Sequence, residues 1–146
     1  MARARMAIGL DTSCLVPLFC EWHEFHLATL KTFSARPGRR WVISAHVLAE
    51  CFAVLTRLPP PFRIAPPQAR ELLAVNFSES ADIAEVSKQD VWAALKHAAD
   101  RGFGGGRVYD AIIAHSTARC GATVMLTWNI KDYLVVAPAG LEVRTP

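Results

Sequence analysis

Asp11, Glu50, Asp110, Asn129 and Asp132 are the residues of this 146-residue chain whose types and spacing could do chemistry. Asp11 interrupts an apolar run, "MAIGLDTSCLVPLF" (6–19), where an acid is a poor strand residue and costly to bury unpaired. Glu50 stands between Val47 and Val54, at the border of an apolar helical stripe. Asp110 falls in the first turn of a helix whose other early residues, Val108, Tyr109, Ile112 and Ile113, are mostly apolar. Asn129 and Asp132 follow the β-run "ATVMLTW" (122–128). Singly, each has a plain structural role: Asp11 as a helix cap, Asp110 as a complement to a helix dipole, Glu50 as a partner for Arg57, Asn129 and Asp132 as turn residues. Together they point further. Two carboxylates about 4.5 Å apart repel by about 3–4 kcal/mol at an effective dielectric of about 20. Acids that converge must therefore protonate or take up a cation. Mg²⁺ or Mn²⁺ suits carboxylate, amide and water oxygens, and such an ion activates water and stabilises a phosphoryl transition state.

The elements that must position these groups alternate along the chain. Residues 5–10 read as a buried strand, and Ser13 opens a helix through Phe19. A second helix over 21–35 carries Trp22, Phe25, Leu27, Leu30 and Phe33. "RPGRR" (36–40) is a basic turn and 41–44 a short strand. Ser44 then opens a helix with Val47, Cys51, Val54, Leu55 and Leu58 on one face of a 3.6-residue period, stopped by "PPP" (59–61). A helix over 66–75 follows, starting with prolines where they are tolerated. Next come a strand over 81–87 and a helix with capping-box spacing at Ser87 and Asp90, ended by Gly102. A helix over 108–120, the strand over 122–128 and a final strand over 141–145 complete the chain. Strands alternating with helices predict an α/β domain with a central, mainly parallel sheet flanked by helices. Such sheets bind ligands beyond the carboxyl ends of their strands, where all five polar groups are expected.

At 52% hydrophobic and 20% charged residues the chain should fold as one domain over 1–146. Its apolar runs are far shorter than the ~20 residues a membrane helix needs, and the start reads as a mature cytoplasmic one. Cys14, Cys20, Cys51 and Cys120 form no Cys-x-x-Cys pair and read as reduced, buried thiols. A net charge of +3 permits a nucleic-acid partner without demanding one.

The chain resembles PIN-domain ribonucleases, above all the VapC-type toxins of bacterial toxin–antitoxin pairs. "LDTS" (10–13), "SAHVLAE" (44–50) and "GGRVYDAIIAHSTARCGATVMLTWNIKDY" (105–133) carry the resemblance, in the family's order. It implies a PIN-like three-layer fold and a Mg²⁺- or Mn²⁺-dependent endoribonuclease that leaves a 5′-phosphate and a 3′-hydroxyl. By position, Asp11, Glu50 and Asp110 match the acidic metal ligands, and the fourth falls on Asn129, with Asp132 a nearby alternative. Thr12, Ser13 and Thr127 match hydroxyls that support the ligands or touch phosphate. A neutral Asn129 weakens a second metal site, and Tyr133 stands where Phe is more usual. Relatives of this type are homodimers silenced by a small antitoxin, with no membrane association.

Arg107 and Lys131 flank the expected site and could touch RNA phosphates, as could Arg36, Arg39 and Arg40; Trp128 could stack a base. "WHEFH" (22–26) is a helix surface rather than a zinc motif. "GFGGG" (102–106) lacks the Lys-Ser/Thr of a phosphate loop and reads as a helix stop leading to Asp110. Two other functions compete with the nuclease: a nucleic-acid or antitoxin-binding module with little catalysis, suggested by Asn129, and a receiver-like phosphotransfer domain, disfavoured because Asp11 has no adjacent acid.

Overall fold

The structure, a computed structural model, describes residues 5–35 and 39–146. Arg36, with the middle of the expected basic turn, lies outside them. The elements run β1 (Ala7–Leu10), α1 (Thr12–Phe19), α2 (His26–Ser34), β2 (Arg40–Ser44), α3 (Ala45–Arg57), α4 (Pro66–Phe77), β3 (Ala81–Ala84), α5 (Lys88–Arg101), α6 (Arg107–Arg119), β4 (Val124–Leu126), α7 (Ile130–Val136) and β5 (Glu142–Arg144).

The strands form one five-stranded sheet in the order β3-β2-β1-β4-β5. Every pairing is parallel, so the sheet expected to be mainly parallel is parallel throughout. Parallel pairing requires helical crossovers. Helices α1 to α4 form one contacting group and α5 to α7 another, flanking the sheet. Strand β1 is central, with Leu10 opposite Ile43 on one side and Leu126 on the other. All four of its residues are buried, which explains why they read as a continuous apolar run rather than an alternation. After β1 the chain moves outward through β2 and β3, then returns to lay β4 on the other flank of β1. The gap between the ends of β1 and β4 is therefore the point where the strand order reverses, where open α/β sheets hold their ligands.

Close approach sets the position of α6. A Cβ on Gly9 would lie 2.3 Å from Thr117 Cγ2 and 2.7 Å from the Met125 sulfur, so only glycine lets this helix settle on the central strand. Ser116 Oγ donates to Ser44 Oγ at 2.9 Å, tying α6 to the start of α3.

Several boundaries differ from the sequence reading. The second helix begins at His26 rather than 21, because His23 Nδ1 accepts the Phe25 amide at 3.1 Å and holds 23–25 in a turn. Leu27 and Leu30 on α2 are exposed. The third strand stops at Ala84 because Ser87 and Asp90 form a complete capping box for α5. Gly102 ends that helix at a left-handed φ of 74°. Asp11, rather than Ser13, caps α1. Helix α7 is an addition: its first turn contains Asp132, expected in a turn. The cysteines are free thiols, Cys14, Cys20 and Cys51 buried and Cys120 partly so. No helix among the described residues is long and apolar enough to cross a membrane.

Candidate active site

Asp11 is a buried carboxylate with both oxygens engaged. It leaves β1 in extended conformation and is only 4% exposed. Its Oδ1 accepts the Ser13 amide at 2.8 Å and the Ser13 hydroxyl at 2.6 Å, while Oδ2 accepts the Thr127 hydroxyl at 2.9 Å. Each hydroxyl is itself held from β4's far end: Ser13 Oγ accepts the Trp128 amide at 2.8 Å, and Thr127 Oγ1 accepts the Asn129 amide at 2.9 Å. The turn after β1 and the turn after β4 are thus stitched together through one carboxylate. Oδ1 is saturated by two donors; Oδ2 retains one lone pair. Burial outweighs these hydrogen bonds and pushes the Asp11 carboxyl up to about 6, with the Glu50 charge adding to the rise.

Glu50 and Asp110 reach the same place from α3 and α6. A cavity of about 430 Å³ is lined by Asp11, Glu50, Asp110 and Asn129, together with Thr12 and Ser13. Burial, then the charges of Asp11, Glu50 and Asp132, push Asp110 up to about 7 against the opposing pull of Arg107. Glu50 Oε2 is buried with no hydrogen-bond partner, and so is Thr12 Oγ1 on the cavity wall; His46 Nε2 stands 3.8 Å from Oε2. The acids share a cavity and feel one another's charge, yet among the described residues no three His, Cys, Asp or Glu side chains are grouped tightly enough to hold an ion as they stand. Mutual repulsion between uncompensated carboxylates opposes a closer grouping. The donor set fits a hard divalent cation: carboxylates and an amide at a strand-order reversal, two proton affinities raised, and a buried oxygen left without a partner.

The sequence-predicted residues separate clearly. Asn129 lines the cavity, whereas Asp132 lines none of the site's cavities and pairs with Arg107 at 3.1 Å. A hydrogen bond from the Asn129 side chain, and then the Arg107 pairing, hold the Asp132 carboxyl below its usual range. Lys131 is exposed on α7 outside the cavity. Arg40 is paired with Asp82, and Arg39 is near Met6. Trp128 lies face to face with Phe25, centroids 4.2 Å apart, and its indole N–H donates to Thr29 at 2.9 Å. His23 and Glu24, expected on a helix surface, line the cavity instead, because the 23–25 turn folds inward.

Three residues at the site had no role assigned from the sequence. His46 and Tyr109 stack in parallel at 5.5 Å beside Glu50 and Asp110. The only sequence signal was their spacing, His46 one turn before Glu50 and Tyr109 adjacent to Asp110. Tyr133 is fully buried with its hydroxyl unpartnered. Burial, then the charges of Asp11, Asp110 and Glu50, hold its phenol well above the usual range.

Comparison with known proteins identifies the family and the fold. A sequence model of the family described as PIN domain matches residues 8–130. Ribonuclease VapC40 of Mycobacterium tuberculosis is 34% identical over 119 residues, covering 81% of this chain and 84% of that protein. Ribonuclease VapC27 of the same organism is 32% identical over 111 residues, 76% of this chain and 77% of that one. Among solved structures, M. tuberculosis VapC20, described as a sarcin-ricin loop cleaving toxin, superposes with a TM-score of 0.73 at 17% identity, over 90% of this chain and 96% of that one.

Proposed function

The chain belongs to the PIN-domain family, and from that premise we propose that it is a divalent-metal-dependent endoribonuclease that hydrolyses RNA phosphodiesters, as the toxin of a toxin–antitoxin pair. The observation that carries this reading is the meeting of Asp11, Glu50 and Asp110, from three separate elements, on one cavity at the strand-order reversal. Asp11, Glu50 and Asp110, with Asn129, would hold Mg²⁺ or Mn²⁺. When bound, the ion would supply a Lewis acid for the phosphate and an acidified water. A dication is also the counter-charge that lets Asp11 and Asp110 ionise together at neutral pH. Asp11, fixed by Ser13 and Thr127, holds charge at a set point. Glu50, whose Oε2 has no partner, is the carboxylate placed to take the attacking water's proton. Arg107 is placed to touch a phosphate if it leaves Asp132.

The ribonuclease names of VapC40 and VapC27 support an RNA substrate. The likeness to a toxin–antitoxin complex from Klebsiella pneumoniae (TM-score 0.62, 18% identity) extends the reading to a cognate antitoxin. A homodimer acting in the cytoplasm, one nuclease domain per chain, completes it.

The test is incubation of the purified, antitoxin-free protein with single-stranded and structured RNA, with Mg²⁺ or Mn²⁺ and with EDTA. Cleavage is expected only with the ion, reduced at least ~100-fold in Asp11→Ala or Asp110→Ala. Undiminished cleavage in either variant overturns the site assignment. RNA binding without cleavage favours the non-catalytic module that the neutral Asn129 suggests.

A further inference from the structure

His97 and His115 meet where α5 packs on α6 and take no part in the site built on Asp11. Their rings stand at 82° to one another, with His97 Nδ1 3.2 Å from His115 Nε2. Eighteen residues separate them in the chain, so no local pattern announces the pair. Phe103 lies edge-on to His97, centroids 5.6 Å apart, and both imidazoles are half-buried. They open on a cavity of about 490 Å³ whose wall also carries Lys96, Asp100, Arg101 and residues 137–139. Two ring nitrogens this close cannot both be protonated: one carries a hydrogen and the other offers its lone pair. Burial, then the neighbouring His97, lowers the proton affinity of His115 against the opposite pull of Asp90.

We propose that His97 and His115 form a second metal site, for a first-row transition ion of the zinc class rather than for magnesium. The proposal is independent of the nuclease reading. An ion about 2.0–2.1 Å from each of two imidazole nitrogens, at a tetrahedral angle, sets those nitrogens about 3.4 Å apart. The observed 3.2 Å is close to that spacing. On binding, the donating ring carries its hydrogen on its other nitrogen, so both rings stay neutral and both facing lone pairs go to the ion. Asp100 is one helical turn beyond His97 and lines the same cavity. Its present partner is Lys96, and both side chains are exposed, so the pair is weak and yields to an ion. Among the described residues no three His, Cys, Asp or Glu side chains are grouped tightly enough as they stand. Asp100 must therefore turn to become the third ligand, with water completing the shell. Imidazole donors select zinc, nickel or copper over magnesium, the reverse of the carboxylates around Asp11. Lys96 and Arg101 could instead invite an anion. The cation is preferred because α5 ends at Arg101 and α7 at Val136, so the cavity borders two helix carboxyl ends, and such ends favour positive charge. The bound ion cross-links α5 to α6, the helix that carries Asp110.

The test is calorimetric titration of the full-length, reduced protein with Zn²⁺, in excess Mg²⁺ to compete for the acids around Asp11. A single Zn²⁺ per chain is expected to bind with a Kd below about 10 μM. Binding should be about tenfold weaker or more in His97→Gln and in His115→Gln, about threefold weaker in Asp100→Asn, and unchanged in Asp11→Asn. A second readout uses the unaltered protein and so depends on no variant folding: carbethoxylation by diethyl pyrocarbonate, mapped by mass spectrometry. Zn²⁺, and not Mg²⁺, should protect His97 and His115 while His26 reacts as before. Zn²⁺ affinity unaltered in both histidine variants, binding only at millimolar Zn²⁺, or protection of the two rings by Mg²⁺ or inorganic phosphate but not by Zn²⁺ overturns the proposal. Neither readout involves RNA, so a failure of the nuclease reading leaves the result standing.

Discussion

Tyr133 has its ring fully buried and its hydroxyl without a partner, facing the charges of Asp11, Asp110 and Glu50. A buried, unsatisfied polar group costs about 1–3 kcal/mol. Tyr133→Phe should therefore raise stability by about 1 kcal/mol, read as a shift in the urea midpoint at unchanged m. A second residue-scale consequence concerns pH. Asp11 rises from 3.8 in the unfolded chain to about 6 in the fold, and Asp110 from 3.8 to about 7. The native state thus binds more protons than the unfolded one across this window, so stability falls as pH rises from about 4 to about 7, on the order of 2–3 kcal/mol for Asp11 alone. The ion-free protein should melt at a higher temperature at pH 5 than at pH 7.5. Asp11→Asn should remove much of that difference, and a slope of the opposite sign would refute the burial argument. A raised proton affinity was expected where acids converge, but its larger cause, burial, was not legible in the sequence, because it depends on what encloses the group.

At the scale of elements, the placement of α6 governs Asp110. Gly9 on β1 stands in close contact with that helix, so Gly9→Ala should destabilise the fold by about 1–3 kcal/mol through overpacking against Thr117 and Met125. Chemical denaturation of the ion-free protein checks this. Ser87→Ala, which breaks the capping box of α5, should cost about 1 kcal/mol by the same measurement. Local signals of this kind made the fold largely readable: the 3.6-residue stripe of α3 leaves Val47, Cys51 and Leu55 buried as expected, and the Ser87 cap and the Gly102 stop act where they were placed. The misreadings fall where a local rule lost to a longer-range one. Residues 21–25 are rich enough in apolar side chains to read as helix, but the His23 imidazole takes the Phe25 amide. Helix α7 has only seven residues and no side-chain cap, leaving little pattern to detect.

At the scale of the molecule, the site was legible as a set of strand-end acids with Trp128 beside them, whereas the His46–Tyr109 pair was not. His46 and Tyr109 are far apart in sequence and meet only because α6 lies beside β2 and the start of α3. The fold also joins distant parts of the chain: the Thr127 hydroxyl reaches Asp11 across 116 residues, and β4 lies on one flank of β1 while β2 and β3, which precede it in the chain, lie on the other. That join imposes an order in time on a chain growing at about 5–20 residues per second. A nascent chain stopped before Val124 already carries Asp11, Glu50 and Asp110, yet has neither the strand that flanks Asp11 nor the hydroxyl that holds its Oδ2. The hydrogen-bonded surroundings of Asp11 are therefore completed only once synthesis has passed Thr127.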